Sequence, residues 1–215
     1  MSGDREAILA AVRAAQGGTQ RDPAAIAAEA AALLAGIDAT RPDLGQEPTV
    51  ERFAARVVGP RVNATLERIA TLAELPAAVR RYLEAEGQAA RIALQPVPEL
   101  EALGWPAAGV AVDAAAVPGT VVGLARYGIA ETGSLVFHSG PDTPVLYAFL
   151  PLYHVVAVRA ATVLRHLEDY AAAEQGRPVP RNVNFITGFS GTTDIEGSYV
   201  RGAHGPRFLH IVLVG

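Results

Sequence analysis

Short apolar runs, set apart by helical patterns, constrain this chain more than any other feature. Ala90–Leu94, Val110–Val112, Val155–Val158 and Phe208–Val214 are too short for buried helices and carry almost no charge. A strand buried on both faces reads this way, because neither face needs polar side chains. Between them, Leu72 to Gly87 sets Leu75, Val79 and Leu83 on one helical face and ends on a glycine suited to a C-cap. Glu99–Leu103 fits a turn of helix, and Ala160 to Glu174 a longer helix with Val163, Leu164, Leu167 and Tyr170 inward. Arg61–Ala64 reads as one more short strand. This β-α-β order predicts an α/β fold with a mostly parallel sheet covered by helices.

The first quarter of the chain follows another pattern. Residues 4–16 and 23–38 are Ala-rich, with Ile8, Leu9 and Val12, then Ile26, Leu33, Leu34 and Ile37, at helical spacing. Gly17-Gly18 closes the first helix, and Asp22-Pro23 opens the second with an N-cap and a first-turn proline. Thr40 to Pro48 is a polar connector, and Thr49 fits an N-cap for a short helix through Val58, stopped by Gly59-Pro60. We therefore expect a helical N-terminal arm over 1–48 and an α/β domain over 49–215, the arm serving packing or association.

Charge and residue usage remove several functions. The net charge of -4 gives no electrostatic footprint for nucleic acid. Every basic side chain is Arg, so Schiff-base chemistry and a Walker lysine are excluded. With no cysteine, the chain holds no disulfide, thiol nucleophile or thiolate-ligated cluster of its own. Met1-Ser2-Gly3-Asp4-Arg5-Glu6 lacks a signal-peptide core, and no run of about 18 apolar residues escapes a charge or a proline. No membrane span and a cytoplasmic location are the expectations.

Polar chemistry concentrates in two stretches. Asn182 to Glu196 reads as a strand, a small-residue loop and a helix capped by a Thr193/Glu196 capping box, before the last strand, Phe208 to Val214. Gly188 and Gly191 flank Ser190 in the loop, with Thr192 and Asp194 beyond, and free amides at a helix start beside hydroxyls would cradle an anion. Val117–Ser139 reads as two or three strands, with Glu131-Thr132-Gly133 at a turn between them. His138, His154 and His204 fall at strand ends or turns, but no metal-ligand spacing joins them, so no metal site is expected. No serine sits in a Gly-x-Ser-x-Gly elbow. The reading is one cleft at strand ends. Glu131, His154 and Asp194 are its candidate catalytic groups, and Thr132, Gly133, Gly188, Ser190, Thr192, Glu196 and His204 its candidate ligand contacts.

These motifs carry a resemblance. Ala130-Glu131-Thr132-Gly133-Ser134, Leu150-Pro151-Leu152-Tyr153-His154, Thr187 to Glu196 and Gly202-Ala203-His204-Gly205-Pro206-Arg207 follow one another as the motifs of the LUD-domain family do, over roughly residues 50–215. Within that family the chain resembles the lactate utilization protein C (LutC/YkgG) group. The resemblance implies a Rossmann-like sheet similar to the phosphosugar isomerase and CoA-transferase superfamily. It also implies a part in oxidising L-lactate to pyruvate beside iron–sulfur partner proteins, which would carry the clusters this cysteine-free chain cannot ligate. Two alternatives stand beside it. One is a non-catalytic assembly or regulatory subunit that docks through its arm. The other is a CoA-transferase-like or small-anion-binding enzyme using Glu131 of Glu131-Thr132-Gly133.

Overall fold

The computed structural model describes residues 2–15, 21–36, 39, 41–193 and 197–215. It divides into two units, Met1–Asp43 and Leu44–Gly215. The first contains α1 (Ser2–Ala15) and α2 (Pro23–Ala35). Asp22 caps α2 by accepting from the Ala24 N–H, and Pro23 stands in the first turn, where its missing N–H leaves no carbonyl unpaired. Ile8, Val12, Ile26, Leu33 and Leu34 are exposed. Gly17-Gly18 and Ile37 lie outside the described residues.

The second unit runs α3 (Thr49–Val58), β1 (Thr65–Ile69), α4 (Leu75–Ala85), β2 (Arg91–Leu94), α5 (Pro98–Glu101), β3 (Ala111–Val112), β4 (Thr120–Leu124), β5 (Tyr127–Ile129) and β6 (Ser134–His138). It continues with β7 (Tyr153–Arg159), β8 (Val163–Leu164), α6 (Asp169–Ala173), β9 (Val183–Ile186), β10 (Gly191–Thr193), β11 (Tyr199–Arg201) and β12 (Phe208–Val214). Six strands form one sheet in the order β1-β12-β7-β4-β2-β3, and each neighbouring pair in it is parallel. A second sheet, β8-β5-β6-β9, is mixed, and β10 pairs with β11 in a two-stranded sheet.

The parallel sheet is the middle layer. On β7, Val155 and Ala157 join the core formed with Leu75, Val79 and Leu83 of α4 and with Trp105. Val156 and Val158 join the opposite core, with Phe53 and Val57 of α3 and Leu135 and Phe137 of β6. Burial on both faces is why β7 and β12 read as unbroken apolar runs, whereas Ala111 and Val112 of β3, at the sheet edge, are exposed. Phe53 and Val57, one turn apart, are the buried stripe of α3. A Cβ on Gly128 would come within 3.0 Å of the Phe53 ring, so the glycine lets β5 cross this helix closely.

Three expected elements take another form. Arg61–Ala64 precedes the strand, which begins at Thr65. The helix expected over Ala160 to Glu174 is a 3-10 turn, the two-residue β8 and the short α6. Val163 and Leu164 fit either pattern, and pairing with Gly128 and Ile129 of β5 draws them into the second sheet. No capped helix follows the Ser190 loop in the described residues. Gly191–Thr193 instead pairs antiparallel with Tyr199–Arg201, and the Tyr199 ring lies over Gly191, where any side chain would collide with it. Asp194 and Glu196 lie outside the described residues.

Candidate functional site

The loops singled out in the sequence fall into separate neighbourhoods. At the β5–β6 turn, Gly133 takes φ +74°, and a Cβ there would press on Arg56 and Val62 at 3.0 Å. Gly188 takes φ +81°, and its Cβ would sit 2.5 Å from the Val62 carbonyl oxygen. Both positions require glycine. Antiparallel β6 and β9 bring the two turns together, and a hydroxyl chain links them: Thr132 Oγ1 to Ser134 Oγ at 2.6 Å, and Ser134 Oγ to Thr187 Oγ1 at 2.5 Å. Ser190 lies further along. Its N–H donates to the Pro206 carbonyl at 2.8 Å, its carbonyl accepts from Gly202 N, and its Oγ accepts from His204 N at 3.2 Å. The Ser190 amide is therefore used within the loop. Thr192 sits on β10 opposite Val200.

Glu131 belongs to a different constellation. Its Oε2 accepts from Leu167 N at 3.0 Å and lies 3.5 Å from His166 Nδ1, while its main-chain carbonyl accepts from Arg56 Nε at 2.8 Å. Glu131, His166 and Glu168 each offer a ligand atom within 4.8 Å of the others, a donor set of the kind that holds a cation. Sequence spacing gave no sign of it, because the β5–β8 pairing assembles it.

His154 stands apart from Glu131. It packs against Phe137, ring centroids 5.8 Å apart, and Phe137 is three residues along β6 from the turn, about 10 Å at the strand rise. His154 is 2 % exposed and its Nδ1 has no hydrogen-bond partner. Burial pushes its pKa down to about 4, so the imidazole is neutral near pH 7. It lines a cavity of about 10 Å³, room for one water, with Gln95, Gly123, Phe137, Thr143 and Asn184. A Cβ on Gly123 would meet Gln95 Oε1 at 3.2 Å and His154 Nε2 at 3.4 Å, so glycine keeps this space open.

The cavity adjoins a larger crevice of about 360 Å³, sharing Gln95, Phe137 and Thr143 with it. The chain passes from β2 outward to β3, then returns to β4 and moves the other way to β7, so the strand order reverses between β2 and β4. The crevice opens beside the carboxyl ends of those strands, where open α/β sheets take ligands. Gln95, just past β2, fixes its floor: Oε1 accepts from Leu124 N at 2.9 Å, and Nε2 donates to Thr143 Oγ1 at 3.0 Å. Thr143 accepts that bond and keeps its own proton for a ligand. Arg126 pairs with Glu174 at 2.8 Å and Arg159 with Glu99 at 2.7 Å. Burial raises the Glu174 pKa, but bonds from Arg126 and Tyr127 outweigh it and hold the carboxyl below its ordinary range. His138 meets the Tyr170 hydroxyl at 2.9 Å, and burial, then the Arg126 charge, lowers its pKa. The result is a polar site with neutral imidazoles and partly neutralised arginines, suited to orienting a small polar ligand. Sequence reasoning missed Gln95, Arg126 and Arg159; the only available signal was their place at strand ends.

Residues 120–214 match the LUD domain family. Over that stretch, less than half of its length, the chain is similar to LUD domains. It is similar to lactate utilization protein C of Geobacillus kaustophilus (strain HTA426), 34% identical over 44% of this chain and 42% of that protein. Lactate utilization protein C of Deinococcus radiodurans is 34% identical over 40% of this chain and 42% of its own length. The uncharacterized protein YkgG of Escherichia coli (strain K12) is 32% identical over 50% of each. These matches span half or less of the length of each relative. The fold of this chain is also that of a DUF162 family protein from Deinococcus radiodurans, with a TM-score of 0.53 over 80% of this chain and all of the other, at 21% identity.

Proposed function

We propose that this protein belongs to the LUD-domain family and takes part in the cytoplasmic oxidation of L-lactate to pyruvate, and that the crevice beside β2 and β4 is where it binds a small polar ligand. The observation that carries the reading is its similarity to proteins named lactate utilization protein C. The clusters that move electrons belong, on this reading, to iron–sulfur partner proteins, since thiolate ligands are lacking here. The chain's own part is to position a ligand: the Thr143 hydroxyl donates to it, Gln95 fixes Thr143, and His154 bounds the inner end in its neutral form. Lactate-dependent dye reduction, reconstituted with the iron–sulfur partners, tests this. Omitting the chain should abolish most of the rate, and Thr143→Val should raise the KM for lactate. An undiminished rate without the chain overturns the role, and an unchanged KM in Thr143→Val places the ligand elsewhere. A second reading, an assembly subunit, is favoured by the exposed apolar side chains of α1 and α2. It predicts that deleting residues 1–43 costs activity while Thr143→Val does not.

A further inference from the structure

A second pocket, of about 310 Å³, lies at the end of α3 and is lined by Glu47, Arg52, Arg56, Gly59, Pro60 and Arg61. Three guanidinium groups face one carboxylate, which leaves two positive charges in excess. That carboxylate is a loose partner: Glu47 stands 3.8 Å from Arg52 Nη1, and both side chains reach solvent. Arg52 Nε is buried with no acceptor. Arg56 uses only its Nε, on the main-chain carbonyl of Glu131, so both of its terminal nitrogens are available. The Glu131 carboxylate accepts from Leu167 N and lies beside His166, and no ion pair joins it to Arg56 among the described residues. Among the described residues no ion pair or hydrogen bond engages Arg61.

Arginines near a helix C-terminus have an ordinary explanation, because they offset the negative end of the dipole. That accounts for Arg56, in the last turn of α3. It does not account for Arg61, beyond the Gly59-Pro60 stop, nor for a buried Arg52 Nε without a partner. The dipole end, equivalent to about half a charge, is also outweighed by the excess of two. A phosphate monoester dianion matches that excess and presents three acceptor oxygens to forked donors. A monocarboxylate matches it less well.

We propose that Arg52, Arg56 and Arg61 form a binding site for the phosphate group of a small phosphorylated metabolite. The site is distinct from the crevice and does not depend on the lactate reading. Calorimetric titration of the full chain with glycerol 3-phosphate, at constant ionic strength, tests it, with glycerol and acetate as controls. Saturable binding of the phosphate ester alone is expected. Arg52→Gln and Arg61→Gln should each weaken it by about tenfold or more, while Arg91→Gln, on a surface ion pair elsewhere, should leave it unchanged. Arg61 has no partner to lose, so its variant folds. Absence of saturable binding overturns the proposal, as does affinity unchanged in both pocket variants. Loss of binding in Arg126→Gln, with Arg61→Gln unaffected, also overturns it, because the ligand would then occupy the crevice.

Discussion

His154 and His210 are imidazoles that the fold keeps uncharged. His210 accepts or donates one bond, Nδ1 to Thr65 Oγ1 at 2.7 Å, stacks on Tyr82 at 4.1 Å, and leaves Nε2 buried without a partner. Burial lowers both pKa values from 6.5 to about 4. The unfolded chain therefore takes up protons below pH 6.5 that the folded chain refuses until about 4. Stability is full above that window and drains as pH falls through it, by about 3 kcal/mol per histidine once both limits are passed. Urea midpoints measured near neutrality and near pH 5 should show the loss, and His154→Phe should flatten it. A slope unchanged in that variant would mean that His154 titrates normally.

At the scale of elements, Glu131 works as a pin between the β5–β6 turn and the segment that leads into α6. A charge-assisted bond to a backbone N–H contributes about 1.5–3 kcal/mol. Glu131→Ala should thus speed hydrogen exchange at the Leu167 amide and its neighbours while leaving β12 amides as slow as before. Uniform acceleration across the sheet would contradict a local role. Element boundaries were legible where one physical pattern prevailed. Phe208–Val214 matches the sequence reading residue for residue, and the helix ending at Val58 differs from it only in its cap, Pro48 in place of Thr49, since an unbroken apolar run and an amphipathic stripe each admit one structure. Val163-Leu164 and Gly191–Thr193 were not legible, because their strand partners, Gly128 and Ile129 for the one and Tyr199–Arg201 for the other, decide their form. The same holds for the site. His154 showed itself as a histidine at a strand end, whereas Gln95 is an ordinary glutamine until the reversal between β2 and β4 gives it a crevice to floor.

For the whole molecule, the described side chains of α1 and α2 contribute nothing to a buried core, and both cores draw on residues from Val50 onward. Residues 44–215 alone should therefore unfold cooperatively, with a Tm within about 2–4 °C of the full chain, the shift that about 1 kcal/mol produces in a domain of this size. Broad, non-cooperative melting would show that the arm is needed for folding. The order β1-β12-β7 carries a different consequence. β1 is made early, yet among the described residues its sheet neighbour is β12 alone, with which all five of its residues pair. During synthesis β1 must wait, its edge open, until nearly the whole second unit has left the ribosome. A nonsense mutation before Phe208 would not trim an edge from the protein. It would remove the strand that joins the earliest part of the sheet to the rest, and expose two unpaired strand edges to whatever nascent chain is nearest.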